Sequence, residues 1–213
     1  KKEQVGVDTY EYTFEPSYDL THRAGQYLEW TLPHRSPDNR GIRRYLSISS
    51  APSDHQIRFA IRHVKNGSSW KQALAGFKKG DVIYATQCAG DFLLDKNATH
   101  HVCIAGGIGI TPFMSMFREA EYQRMPLNAT VLYCTKNAEE IAFKDELAHL
   151  VGIRVVHVLE RSSKRYPDAI VGHLNERSLS EVVKQQDTVH YYLSGPPGMV
   201  NTYKRLLKNM GVA

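Results

Sequence analysis

The run Val102-Cys103-Ile104-Ala105-Gly106-Gly107-Ile108-Gly109-Ile110-Thr111-Pro112-Phe113-Met114 decides how the rest of the chain is read. Its apolar start reads as a buried parallel strand, its glycines as a tight turn, and Pro112 stands in a first helical turn, where its missing N–H is not needed. Gly106, Gly107 and Gly109 permit positive φ angles and a close approach of ligand to backbone, while the helix behind offers free N–H groups and the positive end of its dipole. Such a strand, turn and helix start suits a diphosphate. The spacing Gly107-x-Gly109-x-x-Pro112 is the dinucleotide-binding pattern with proline in place of the third glycine. A glycine turn that only packs is the other reading, and this stretch alone leaves both open.

Outward from it the chain has two rhythms. From His101 on, the pattern predicts strand 102–105, helix 112–124, strand 129–134, helix 143–150, strand 153–159, helix 178–185, strand 190–194 and helix 199–209. Alternation on this scale means a parallel sheet covered by helices on both faces. Residues 5–95 instead alternate apolar and polar, at Tyr10-x-Tyr12-x-Phe14, Tyr27 to Leu32, Tyr45 to Ile48, Ile57 to Val64 and Val82 to Thr86, with Gly-, Pro-, Asp- and Asn-rich loops between. Short strands at close spacing predict a small antiparallel β-barrel, interrupted by one helix at 68–77 behind a serine cap. The boundary falls near Asp95-Lys96-Asn97-Ala98, giving an N-terminal domain at 1–97 and a C-terminal α/β domain at 98–213.

Composition narrows the function. With 42% hydrophobic and 23% charged residues the chain is globular, and its net charge of +5 comes without a Lys/Arg cluster interleaved with aromatics, so nucleic acid is not expected. Cys88, Cys103 and Cys134 are widely spaced, with no CxxC and no histidine at metal spacing. No metal site and no disulfide framework is expected, and a reducing, cytoplasmic setting follows. No apolar run reaches the length of a membrane span. The chain opens on Lys1 and closes on Met210-Gly211-Val212-Ala213, which reads as a piece of a longer polypeptide.

Three further stretches carry chemistry. Arg43-Arg44-Tyr45-Leu46-Ser47 puts an arginine, able to grip a phosphate with two N–H groups, three residues before a hydroxyl. Lys65-Asn66-Gly67-Ser68-Ser69-Trp70 gives a glycine turn and two hydroxyls at a helix start, as a phosphate site or as a plain cap. Tyr191 to Met199, through Ser194-Gly195-Pro196-Pro197-Gly198, ends a strand in a rigid turn at the sheet edge where open α/β folds bind ligands.

With these motifs in this order over nearly the whole length, the chain resembles the ferredoxin-NADP reductase superfamily, a flavin-binding barrel followed by an NAD(P)-binding domain. The resemblance implies a flavin-dependent oxidoreductase in which NAD(P)H gives a hydride to FAD and electrons pass to an acceptor, a protein carrier or membrane partner, which the sequence does not identify. Arg44 would pair with the flavin diphosphate and Ser47 would face flavin N5, with Tyr45 and Leu46 beside the ring. Ile61, Arg62 and His63, then Gly67, Ser68 and Ser69, match the second flavin motif. Gly107, Gly109, Thr111 and Pro112 match the nucleotide turn, with Thr111 near flavin and nicotinamide, and Ser194, Gly195, Pro196 and Met199 match the last motif. Ser47, Thr111 and Ser194 are the residues expected at the reacting atoms.

Two positions depart from the family pattern. Leu46 stands where an aromatic usually stacks on the flavin, unless Tyr45 takes that place by a one-residue shift, and Ser194 replaces a cysteine often found beside the nicotinamide. Family members also run on into a strand whose aromatic covers the other flavin face. Lys136, after the second strand of the α/β part, points toward NADPH over NADH, against nearby Glu139 and Glu140. A nucleotide- or flavin-binding regulatory module without turnover is the alternative, and the soluble end of a membrane-anchored protein is compatible with either.

Overall fold

The structure, a computed structural model, describes residues 1–183 and 188–212. The chain divides into two compact units, Lys1–Leu93 with Thr111–Gln123, and Leu94–Ile110 with Arg124–Ala213.

The first unit carries β1 (Lys2–Gly6), β2 (Thr9–Phe14), β3 (Tyr27–Thr31), β4 (Arg43–Ser47), β5 (Ile57–Arg62), α1 (Ser69–Ala75) and β6 (Tyr84–Ala89), together with α2 (Thr111–Tyr122). Its strands form two antiparallel three-stranded sheets, ordered β1-β2-β5 and β4-β3-β6. The alternation predicts a small antiparallel barrel, and these two antiparallel sheets are its barrel-like halves. Beyond β4 the chain passes from one sheet to the other, and the Ser49 N–H donates to the Arg58 carbonyl at 2.8 Å.

The alternation explains the core. On β3, β2 and β5 the inward positions carry Leu28 and Trp30, Tyr12, and Ile57, Phe59 and Ile61, which gather with Trp70 and Leu74 of α1 into one buried cluster. Trp30 meets Phe59 edge to face, ring centroids 4.6 Å apart. Burying each such side chain is worth about 1.5–3 kcal/mol, so this cluster holds the sheets and α1 as one body.

In the second unit β7 (His100–Gly106), β8 (Ala129–Thr135), β9 (Ile153–Leu159), β10 (Ile170–Val171) and β11 (Val189–Ser194) form a parallel sheet ordered β10-β9-β8-β7-β11. α3 (Lys144–His149), α4 (Glu176–Val182) and α5 (Pro197–Asn209) belong to it. Every residue of β7 is buried, as expected of a central strand with both faces covered. Leu179 of α4 with Tyr203 and Leu207 of α5 pack on Val102, Ile104, Leu132 and Val158. The predicted helix 178–185 begins two residues earlier and stops at Val182; Gln185 lies outside the described residues. Asn175 starts it early, because its side chain accepts from the Ser178 N–H at 2.9 Å while the Ser178 hydroxyl answers the Asn175 backbone.

The helix after the glycine turn is grouped with the first unit, not with the sheet whose strand precedes it. Polar bonds explain this grouping. The Ser115 hydroxyl donates to the Ser50 carbonyl at 2.6 Å, Arg118 grips Glu11, and the Ser53 N–H and hydroxyl donate to the two Glu119 oxygens at 2.9 and 2.8 Å.

Candidate functional site

Two clusters of polar and glycine residues stand out, one in each unit. In the first, β4 alternates so that Arg44 and Leu46 share one face and Arg43, Tyr45 and Ser47 the other. Arg44 lies opposite Trp30, its guanidinium 6.0 Å from the Trp70 ring centroid, and Leu46 packs against the buried cluster. Tyr45 is 62% exposed; its hydroxyl donates to Glu29 Oε2 at 3.2 Å and its ring meets Tyr27 edge to face. Of Tyr45 and Leu46, it is Tyr45 that presents a ring, on the strand face that Ser47 shares.

The Arg44 guanidinium bends back over the loop before β4. Nη1 donates to the carbonyls of Arg40, Gly41 and Arg43 at 2.9, 3.0 and 2.6 Å, and Nη2 lies 3.5 Å from Asp38 Oδ1. The other Asp38 oxygen accepts from the Ser69 N–H at 2.9 Å, and the Asp38 N–H donates to the Ser69 hydroxyl oxygen at 2.9 Å. His34 completes the group: its Nδ1 lies 2.8 Å from the Leu32 carbonyl, which only accepts, so Nδ1 holds the proton and Nε2 accepts from the Ser69 hydroxyl at 2.9 Å. The Ser69 N–H, with the Arg40 N–H and the arginine behind it, holds the Asp38 carboxyl below the usual carboxylate range.

The other residues of the second flavin motif divide. Gly67 closes a turn on the Val64 carbonyl, and the Ser68 hydroxyl caps α1 by accepting from the Lys71 N–H at 3.4 Å. Ile61 points into the core at the end of β5, beside Arg62. His63 turns to β2 instead: its Nε2 lies 2.8 Å from the Tyr12 hydroxyl, which itself donates to the Leu74 carbonyl. Lys71, whose Nζ donates to the Arg62 carbonyl, is depressed in pKa by burial and then by Arg40, Arg62 and Arg44. Lys71, Arg40, Arg44 and Arg62 thus form one cluster of positive charge, and Arg44 brings it to the Asp38 carboxylate.

In the second unit the strand order does the work. β7 has β8 on one side and β11 on the other, so the chain reverses its direction of winding there, and open α/β folds bind ligands outside the carboxyl ends of the strands at such a point. Ala105 pairs with Ser194, which sets the glycine turn beside the Gly195-Pro196-Pro197-Gly198 turn. The approach is too close for side chains: a Cβ on Gly109 would lie 2.5 Å from the Ser194 carbonyl oxygen and 2.7 Å from Gly195 Cα. A Cβ on Gly106 would strike Met199 and, at 3.0 Å, Pro196. Gly107, at φ +52°, has nothing within 4 Å of its missing Cβ, so its backbone is open on that side. Residues 107–110 make a 3-10 turn, and Thr111 and Pro112, both buried, open α2.

Lys136 is exposed one residue beyond β8. Glu140 is turned into a small capping loop there, its N–H donating to the Asn137 side chain at 3.0 Å. Among the described residues no group of three or more His, Cys, Asp or Glu is placed to hold a metal, and no helix is long and apolar enough to cross a membrane.

Sequence reading missed Asp38 and His34, which sit in a stretch legible only as a loop. Nothing local marks either of them. Their partner, Ser69, is 31 residues away from Asp38 and 35 from His34.

Residues 103–205 match the family model described as the oxidoreductase NAD-binding domain. A flavohemoprotein from Pseudomonas putida is 29% identical over 220 residues, covering all of this chain and 55% of that protein. The FAD/NAD-binding domain of a nitric oxide dioxygenase from Vibrio cholerae superposes with a TM-score of 0.86 at 23% identity, covering 100% of this chain and 92% of that one. A ferredoxin NADP+ reductase from Neisseria gonorrhoeae, solved with bound FAD and NADP, gives a TM-score of 0.82 at 22% identity, covering 99% and 88%. This chain spans about half the length of the curated flavohemoproteins it matches, 49% and 55% for the first two.

Proposed function

We propose that the chain belongs to the ferredoxin-NADP reductase superfamily, and that it takes a hydride from NAD(P)H onto FAD and passes the electrons to an acceptor outside these residues. The observation that carries the reading is the meeting of two motifs far apart in sequence, Gly106 to Gly109 and Ser194 to Met199, at the carboxyl ends of β7 and β11 where the strand order reverses. That position and that absence of side chains suit a nucleotide diphosphate approached by backbone.

The first unit fits a flavin as judged by its own contacts. Arg44 and the Ser69 N–H already converge on a carboxylate, so their donors are set for an anion. When bound, FAD and nicotinamide supply the hydride chemistry. This chain's residues supply the rest: Arg44 and Ser69 hold diphosphate charge, with Gly67 and Ser68 shaping the turn beneath. Ser47 offers a hydroxyl and Tyr45 a ring on one strand face, with Leu46 as apolar backing, Ile61 and Arg62 at the end of β5, and His63 braced on Tyr12. Gly107, Gly109, Thr111 and Pro112 form the nucleotide turn, and Gly195, Pro196 and Met199 wall it. Ser194 presents a small polar group beside the nicotinamide position. Lys136 favours the 2'-phosphate of NADPH.

The acceptor is a redox protein or an attached redox domain. The relatives are named flavohemoproteins and extend well beyond the matched part, which supports a haem-bearing acceptor. We place the domain in a reducing, cytoplasmic compartment, since its three cysteines are unpaired and Cys103 is fully buried.

The test is the visible spectrum of the purified chain with FAD, before and after anaerobic addition of NADPH or NADH. Flavin bands that bleach with one nucleotide faster than the other establish the activity and its preference together. Bands that persist with both nucleotides leave a flavoprotein without turnover, and a colourless protein overturns the flavin assignment.

A further inference from the structure

We infer that Asp38 is a built-in competitor of the flavin diphosphate, an internal carboxylate that occupies Arg44 and Ser69 and sets how tightly the cofactor binds; the inference rests on the flavin reading above. The two donors assigned to the diphosphate are both engaged by one side chain. Asp38 Oδ2 takes the Ser69 N–H at 2.9 Å and Oδ1 lies 3.5 Å from Arg44 Nη2. The engagement is reciprocal, because the Asp38 N–H donates to the Ser69 hydroxyl oxygen at 2.9 Å, and that hydroxyl in turn is fixed by His34. A carboxylate and a phosphate oxygen ask for the same thing, charge-assisted N–H donors, so both cannot hold these two groups at once.

More cations stand near Arg44 than the single Asp38 carboxylate balances. Burial and then the neighbouring Arg40 charge lower the proton affinity of Arg44, and burial followed by Arg40, Arg62 and Arg44 lowers that of Lys71. Asp38 offsets one of these charges. A diphosphate brings a second, which pays for displacing the carboxylate. The loop can follow: Arg44 Nη1 holds it through the carbonyls of Arg40, Gly41 and Arg43, and Asp38 is tied to α1 only through Ser69 among the bonds described.

The experiment titrates FAD and riboflavin separately into the whole chain, as wild type, Asp38→Asn and Asp38→Ala, following the fluorescence of Trp30 and Trp70, the chain's two tryptophans. Riboflavin lacks the diphosphate and is the control. Both variants should bind FAD about tenfold tighter, the size of one charge-assisted bond returned to the cofactor, with riboflavin affinity unchanged. Asp38→Asn keeps the side-chain shape, so it carries the test if Asp38→Ala does not fold. FAD affinity that is unchanged or weaker in Asp38→Asn, against a wild type that binds FAD, overturns the competitor role and leaves the flavin reading standing. Equal tightening of FAD and riboflavin overturns it as well, since the diphosphate would then not be what Asp38 opposes. Binding of FAD by none of the three overturns both.

Discussion

Arg118 holds both carboxylate oxygens of Glu11, Nη1 to Oε1 at 2.7 Å and Nη2 to Oε2 at 3.3 Å, across 107 residues of chain. The Ser49 hydroxyl donates to the same Oε1 at 2.6 Å, and Arg118 also donates to the Ser49 carbonyl. The pair is largely shielded, with side chains 12% and 6% exposed, so each charge depends on the other. Arg118→Met should therefore cost about 3–5 kcal/mol by stranding Glu11, whereas Arg118→Met with Glu11→Leu should recover most of it. Urea unfolding of the two variants measures the difference; equal losses would mean that the pair does not couple α2 to β2.

The glycine turn offers a contrast within three residues. Gly109→Ala puts a methyl group against the Ser194 carbonyl and Gly195, so it should force the two turns apart and weaken nicotinamide nucleotide binding by about tenfold or more. Gly107→Ala meets no neighbour and should cost only the strain of a positive φ, about 1–2 kcal/mol of stability. Calorimetric titration with NADPH and NADH separates the two. A larger binding defect in Gly107→Ala would contradict the packing argument.

Acid should destabilise the chain earlier than its carboxylates require. Burial lowers the pKa of His22, His63, His101 and His157. In the unfolded chain these imidazoles take a proton near pH 6.5, about their ordinary value, and in the folded chain only at lower pH. The unfolded state thus binds more protons in that window, so stability is full above it and falls as pH drops through it. Urea midpoints at neutral pH and two units below should show the fall, and His157→Phe should flatten part of it. A midpoint that stays level would count against the burial of these rings.

Nucleotide preference should turn on Lys136. Reversing its charge in Lys136→Glu should shift the ratio of NADPH to NADH reduction rates toward NADH by about three- to tenfold, the range for one partly solvated cation against a phosphate. Stopped-flow bleaching with each nucleotide measures it. No shift would move the specificity to residues beyond β9.

The thiols should be slow to react. Cys103 is fully buried in β7, and burial pushes the Cys134 thiol up to about 12. Labelling of the native chain by a thiol reagent should reach Cys88 first, since that side chain is only partly buried and its pKa is raised by a smaller burial. Prompt labelling of Cys103 would show that β7 opens.

Much of this was legible beforehand, with identifiable gaps. Predicted strand 153–159 coincides with β9 because Ile153 to Leu159 is an uninterrupted apolar-rich run between turn residues. β1 escaped notice: Lys2-Glu3-Gln4 are exposed, and the strand exists because Glu3 and Gln4 pair with Glu11 and Tyr10 of β2. The shift that starts β6 two residues later than expected, at Tyr84, and carries it three residues further, to Ala89, has a similar origin, since its register follows β3 with an irregularity between Tyr27 and Glu29.

What the sequence determined by itself was everything carried by local backbone chemistry. The period-two alternation of residues 5–95, the apolar run before Gly106, the glycines that alone tolerate the turn and the Gly-Pro-Pro-Gly corner each act within a few residues, so each is written where it acts. Tertiary structure decided what meets what. It put β11 beside β7, so that Gly109 lies against Ser194; it set Arg118 on Glu11, drawing α2 into the first unit; and it closed Asp38 onto Ser69 and Arg44. Such encounters join residues far apart in the chain and leave no periodic trace, because they are settled only when the cores pack and each buried charge or donor must find a partner.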